Sequence, residues 1–478
     1  MTPFKTPLIT TILLFILGHQ AVAQSTVSLV PGTDLQKTVS AHPAGTTYRI
    51  KAGIHRLQQI TPKDGDIFIG DKGAVLNGAQ FLDQWRKEGR YWTHVIALDR
   101  AGQEYDACSP GYEACKFPED LFKDDYFIMR VASRDQLSKD NWYLDYPSKK
   151  IYMLDDPTGF KMEISLARRA FGGSARGVTV RGLIVEKYAI PGHMAAIGDQ
   201  YPGDAWTVED NEVRLNHGQG IAFTGRATIR RNKVHHNGQL GIRSSRAKHA
   251  LVEGNELSYN TVPEVGYVWS HEGGGAKFTV SDSLIIRNNQ SHDNWGPGLW
   301  TDIDNTNTLY EGNICRNNLA SGIFHEISFR AVIRCNTLSG NGKVHGSQIL
   351  LSTSRDVEVY NNTLVVDKNS GEGIRVVQRN RGKAYTGINN TVHDNDITYS
   401  VTGKVSGAWA DHDTDNFWKK GNNRFYKNRY HFPGTTATAT SGRWEWNGNK
   451  MSWKDFQLTG QELEGSVDLI QPAKGGCR

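Results

Sequence analysis

Residues 206–236 read WTVEDNEVRLNHGQGIAFTGRATIRRNKVHH, and in them one short phrase, apolar residues, a gap and then Asn, occurs twice. It continues in Asn211 (WTVEDNEV), Asn232 (TIRRNKV), Asn255 (LVEGNEL), Asn289 (IIRNNQS), Asn313 (LYEGNIC), Asn336 (VIRCNTL) and Asn362 (VEVYNNTL), at steps of 21, 23, 34, 24, 23 and 26 residues. A period of some twenty residues marks a solenoid, in which one coil cannot bury its own apolar side chains but a stack of coils can. Apolar residues alternate within each copy, and Gly and Asn punctuate it, so each coil reads as short strands joined by tight corners.

The phase of the alternation predicts two inward rows. Two residues after the Asn stand Val213, Val234, Leu257, Cys315, Leu338 and Leu364; further on come Ile221, Ile242, Ala276, Leu299, Ile323, Ile349 and Ile374. The Asn residues themselves are read as structural, seated near the left-handed conformation at a corner and bonded amide to amide with the next rung.

This pattern resembles the right-handed parallel β-helix (pectate-lyase-like) superfamily of secreted polysaccharide lyases and hydrolases, over about two-thirds of the mature chain. The resemblance implies an all-β, right-handed parallel β-helix solenoid with a small β-insertion near the N-terminal third and a C-terminal cap. It speaks to the fold more than to the reaction. The chain divides accordingly into a signal peptide (1–23), an N-terminal cap and first rungs (24–105), a β-rich insertion (106–170), the main coil (171–400) and a capping region (401–478).

The signal peptide rests on Lys5, the apolar run LITTILLFIL from Leu8 to Leu17, and Ala21-Val22-Ala23 before Gln24. That run is too short to span a bilayer, so the expectation is a soluble protein, secreted or periplasmic. A formal net charge of +5 over 478 residues, with acids and bases mixed, gives no polybasic stripe and no support for nucleic-acid or membrane binding. Of the five Cys, Cys108 and Cys115 in CSPGYEAC could close a small loop in an oxidising compartment. Cys315 sits in an inward row, Cys335 is out of phase with it, and none has zinc-site spacing. In the insertion, NWYLDYPSKKIYML reads as a hairpin about a Tyr-Pro-Ser-Lys turn, similar to an insert of several β-helix glycoside hydrolases.

Chemistry is expected where outward side chains align on neighbouring rungs, about 4.8 Å apart. Counting from the inward Ile/Leu row, the first outward position holds Ala222, Arg243, Lys277, Trp300, Phe324, Leu350 and Arg375. The third holds Thr224, Ser245, Thr279, Asp302, Glu326, Ser352 and Val377. Asp302 and Glu326 therefore stand side by side, with Asp304 further along the first strand and Lys277 one rung away. Two close carboxylates cannot both ionise freely, and an acid beside a charged carboxylate is what glycosidic cleavage requires. A separation of about 5 Å implies retention, and a wider pair such as Glu326 with Asp304 implies inversion.

The longest step, 34 residues, holds EVGYVWSHEGGG just ahead of this pair. A long loop on a regular scaffold is where function concentrates, so Glu272 is a further acid candidate. Tyr267, Trp269, Trp295, Trp300, Arg243, Arg375 and His325 are candidate sugar contacts, although His325 falls on an inward phase. The favoured reading is a glycoside hydrolase acting on a poly- or oligosaccharide without cofactor. The alternative is a lyase in which Asp302, Asp304 and Glu326 hold Ca²⁺ beside a uronate, Lys277 abstracts the proton and Arg243 or Arg375 grips the substrate carboxylate. A third reading is a non-catalytic glycan-binding coil.

Overall fold

The structure is a computed structural model describing residues 26–98, 107–382, 384–433 and 442–469; the proposed signal peptide lies outside the described residues. Among these, three long parallel sheets surround one apolar core. The first carries thirteen strands from Thr26–Leu29 to Arg424–Tyr426, and the second thirteen from Gly53–Arg56 to Ser466–Asp468. The third carries eleven, starting at Ala195–Ile197, and ends in the antiparallel pair Trp444–Trp446 and Asn449–Met451. One coil visits the sheets in turn, for example Thr207–Glu209, Glu212–Arg214 and Gln219–Phe223, before Thr228–Arg230 starts the next.

Both inward rows fall in register. Ile221, Ile242, Ala276, Leu299, Ile323, Ile349 and Ile374 pair rung to rung and are fully buried. Val213, Val234, Leu257, Cys315, Leu338 and Leu364 do likewise, with Ser291 completing the row between Leu257 and Cys315.

The Asn residues form a ladder in which each side-chain amide donates to the next side-chain carbonyl, at 3.0 Å from Asn211 to Asn232 and 2.8 Å from Asn395 to Asn428. A second ladder joins Asn216, Asn237, Asn260, Asn294, Asn318 and Asn341. One expectation is corrected: the left-handed residue is not the ladder Asn but its predecessor, as at Asp210, Arg231, Asn288, Cys335 and Asn361. That corner brings the Asn side chain to the Asn of the next rung. Asn313→Ala would leave the buried backbone N–H of Asn289 and one of its two side-chain N–H bonds without an acceptor, the other still donating to the Val252 carbonyl. The expected cost is about 2–4 kcal/mol, read as a lowered thermal midpoint.

A close approach explains the Gly before six of the seven inward residues of this row on the third sheet, Ile349 following Gln348 instead: a Cβ on Gly298 would lie 2.6 Å from the Gly322 carbonyl.

The insertion starts earlier than the 106 boundary. Its eight-stranded sheet takes in Ala79–Phe81, Arg86–Glu88 and Tyr91–Val95 as well as Leu121–Lys123 through Met162–Ser165, around its own core of Trp142, Leu144, Ile151 and Ile164. The hairpin about residues 146–149 is as expected, pairing Asp145 with Lys150. Buried Lys187 bonds to Glu163 and Asp125 and fixes this sheet to the coil. The 401–478 region is likewise more than a cap: Ser406–Ala410, Arg424–Tyr426, Arg429–His431 and Ser466–Asp468 are further rung strands. The cap is the Trp444–Met451 hairpin with helix Trp453–Leu458, whose Phe456 packs on Trp444. Among the described residues no helix is long and apolar enough to cross a membrane.

Candidate active site

Five neighbouring strands of the third sheet build the site: Gly274–Thr279, Leu299–Asp302, Ile323–Glu326, Ser347–Ser352 and Glu372–Gln378. Their register sets Lys277, Trp300, Phe324, Leu350 and Arg375 in one outward row, and Thr279, Asp302, Glu326, Ser352 and Val377 in the other. Asp302 and Glu326 are thus direct partners on adjacent parallel strands, about 4.8 Å apart at the backbone.

The face that carries the pair is sheltered, although both residues stand at outward positions of their strands. Asp302 is 5% exposed and Glu326 8%, because two loops flank the face. On one side helix Trp269–Glu272 brings Glu272 to 3.4 Å from the Lys277 ammonium, which also donates to the His271 carbonyl at 2.7 Å. On the other, Arg381 reaches Glu326 at 3.1 Å, and Tyr385 stacks on Phe329 while donating to Asp304 at 3.0 Å.

Lys277 is the hub. Its ammonium holds Asp302 Oδ2 at 3.0 Å and lies 3.8 Å over the Trp300 ring, which stacks on Phe324. Asp302 Oδ1 is buried and finds no hydrogen-bond partner among the described residues, so of its two carboxylate oxygens Lys277 clamps only Oδ2.

Burial first, and then the Asp302 charge, push the Glu326 carboxyl up to about 7, against the opposing pull of Arg381 and Lys277. Near neutrality Glu326 is poised between acid and base while its neighbour is paired to a cation. Removing Arg381 takes away one of the charges that hold this value down. Arg381→Ala is therefore expected to move the alkaline limb of any activity governed by Glu326 upward in pH, as a pH–rate profile would record.

Several candidate contacts fall elsewhere. Tyr267 is not a sugar platform: it is buried with Val262, Val265 and Cys115, against His217. The segment it occupies is clamped by the Cys108–Cys115 disulfide loop, through the Cys108–Tyr267 bridge and the Val268 N–H to the Ala107 carbonyl. Cys335 is also disulfide-bonded, and Cys315 is free and buried. His325 is a core histidine, 0% exposed, bonded to Thr301 at 2.6 Å and pushed down to about 3 by burial.

Asp304 is not further along the strand. The strand ends at Asp302, and Asp304 is an exposed, left-handed corner residue (φ 54°) before Asn305. Trp295 stands 50% exposed at the corner ahead of its strand. Trp269 lies half-buried on the flanking helix, its ring 6.2 Å from that of His345. Arg243 occupies Lys277's row one rung back, donating to the His193 carbonyl, and Arg375 lies two rungs beyond Phe324, tied to Glu445 at 2.8 Å. Among the described residues no three His, Cys, Asp or Glu side chains are grouped to hold an ion. Asp302, Asp304 and Glu326 thus do not form the Ca²⁺ set that the lyase alternative needs.

Sequence reasoning missed Arg381 and Tyr385. The signal was present: Asn362 to Asn395 is a step of 33 residues, a second long rung, and the excess is the loop that carries both.

Residues 198–364 match the family model described as a right handed beta helix region. No curated protein matches the sequence. Among solved structures, XylC in complex with xylose superposes with a TM-score of 0.68 at 16% identity, covering 85% of this chain and 84% of that one. The A-module of the mannuronan C-5 epimerase AlgE6 of Azotobacter vinelandii gives 0.53 at 12% identity, covering 91% and 94%. At these identities the likeness is one of fold, and the chain is a right-handed parallel β-helix protein.

Proposed function

We propose that this protein is a glycoside hydrolase in which Glu326 is the general acid and Asp302 the nucleophile, acting on a poly- or oligosaccharide with retention of anomeric configuration. The observation that carries this reading is the pair itself: a carboxyl raised to about 7 by burial and by its neighbour's charge, beside a carboxylate of which Lys277 clamps only one oxygen. Glu326 protonates the glycosidic oxygen as the bond breaks, while Asp302 Oδ1 attacks the anomeric carbon. The deprotonated Glu326 then takes a proton from water, which displaces Asp302 and restores both groups. Adjacent-rung spacing of about 4.8 Å suits a covalent intermediate better than a water held between the two groups. No metal is needed in this scheme, because both proton transfers run through Glu326.

The fold neighbours add support of a general kind, since one is described with a bound xylose and another as an epimerase of mannuronan. The lyase alternative is weaker here. The Lys277 ammonium is engaged by Asp302, Glu272 and the His271 carbonyl and has no direction left for proton abstraction. Export fits the disulfide at Cys108–Cys115, since such bonds persist in oxidising compartments.

The test is incubation with neutral and uronic poly- and oligosaccharides, following reducing ends and the absorbance of unsaturated products together. New reducing ends alone are expected, with the β/α ratio of the first-formed product matching the substrate by NMR. Unsaturated products would establish elimination instead, and binding with neither signal would make this a glycan-binding coil.

A further inference from the structure

Beyond Glu326 the two outward rows continue into a cavity. Leu350 and Arg375 follow Phe324, and Ser352 and Val377 follow Glu326. Leu350, Arg375 and Val377 line a pocket of about 260 Å³, walled by Arg379, Trp409, Glu445 and Lys450. We propose that this pocket is the subsite for the leaving-group sugar, and that it takes a sugar carrying an anionic group, a uronic carboxylate or a sulfate ester. The proposal rests on Glu326 being the acid and Asp302 the nucleophile.

The direction follows from rung order. An acid lies beside the oxygen it protonates, so the departing sugar sits on Glu326's side of the scissile bond, away from Asp302. Along the sheet that way leads over Ser352 to the pocket. On the other side, the rung before Asp302 carries the Lys277–Glu272 ion pair, with helix Trp269–Glu272 beside it.

The charge follows from how the pocket's ions are engaged. Both acids are occupied: Glu445 accepts from Arg375 at 2.8 Å, and Glu372 accepts the Val405 N–H. Arg379 lies over the Trp409 ring, with its closest carboxylate, Asp411, at the long distance of 3.9 Å. Lys450 stands exposed on the rim, on the strand paired with Glu445. With Arg375 paired to Glu445, the guanidinium over the indole and the rim ammonium are the cations left to meet a sugar ring bearing an oxyanion.

The test is a binding measurement that does not need turnover. Calorimetric titration of the whole protein with a uronic disaccharide, a sulfated disaccharide, their neutral counterpart and inorganic sulfate is compared with Arg379→Ala/Lys450→Ala and with Glu326→Gln. Tighter binding of an acidic disaccharide than of the neutral one, by about tenfold, is expected, lost in the double variant and kept in Glu326→Gln. Which acidic probe binds identifies the anionic group. Equal binding of the neutral disaccharide, binding of inorganic sulfate alone, or a double variant that binds like the parent would overturn the proposal. Hydrolysis of neutral chains without acidic binding would sink the pocket and spare the catalytic reading; acidic binding without hydrolysis of any chain would do the reverse.

Discussion

Glu326→Gln is expected to lower kcat/KM on unactivated glycosides by about 10²–10⁴-fold, the usual worth of a positioned general acid. The loss should shrink on aryl glycosides, whose leaving groups need no proton. The parent should lose activity as pH rises through about 7, where Glu326 gives up its proton, and the variant should show no such limb. The same substitution should stabilise the fold at alkaline pH. The native pKa lies above the ordinary value of 4.5, so the native state binds more protons than the unfolded chain between 4.5 and about 7, and stability falls as pH rises across that window. The integrated penalty is on the order of 3 kcal/mol, and Gln removes it. A variant that is inactive yet melts higher than the parent at pH 8 is hard to explain by misfolding; one that melts lower would count against a strained acid at this position.

The second large effect is at Asp302. Asp302→Asn removes the nucleophile and should cost on the order of 10⁴-fold or more in kcat. Unlike Glu326→Gln, it should fall equally on aryl glycosides, since a good leaving group does not replace an attacking oxygen. Asp302→Ala leaves room for a small anion, so added azide should restore turnover and yield a glycosyl azide of inverted configuration. Loss of the Asp302 charge should also bring the Glu326 carboxyl down, because that charge is the second cause of its elevation. Failure of azide rescue, together with an unchanged product anomer, would remove Asp302 from the covalent role.

Much of this site was legible in the sequence because the coil repeats. Side chains alternate with period two and rungs recur at counted intervals, so aligning Gly298 with Gly322 is enough to put Asp302 beside Glu326 and Lys277 one rung behind. What the alternation does not carry is where a strand stops. Asp304 was misplaced because the corner before Asn305 uses the same left-handed residue that precedes Asn232 and Asn289, and strand counting cannot continue through it. Tyr267 was misread for a different reason. Its environment is built by the Cys108–Cys115 loop of the insertion, more than a hundred residues away in sequence, and no local pattern announces that contact. Arg381 lies in a loop whose length was countable but whose path over Glu326 was not. The sheltering of the two carboxylates is the sum of these long-range contacts.

The most direct test of the central claim needs no substrate. Carboxyl carbons of ¹³C-labelled glutamate are titrated by NMR in the parent, Glu326→Gln and Asp302→Asn. A resonance with a midpoint near 7 that is absent from Glu326→Gln and moves to lower pH in Asp302→Asn is the expected result. A Glu326 signal titrating near 4.5, unmoved by Asp302→Asn, would mean that the paired carboxylates are not coupled and that the acid and nucleophile assigned here are not a pair.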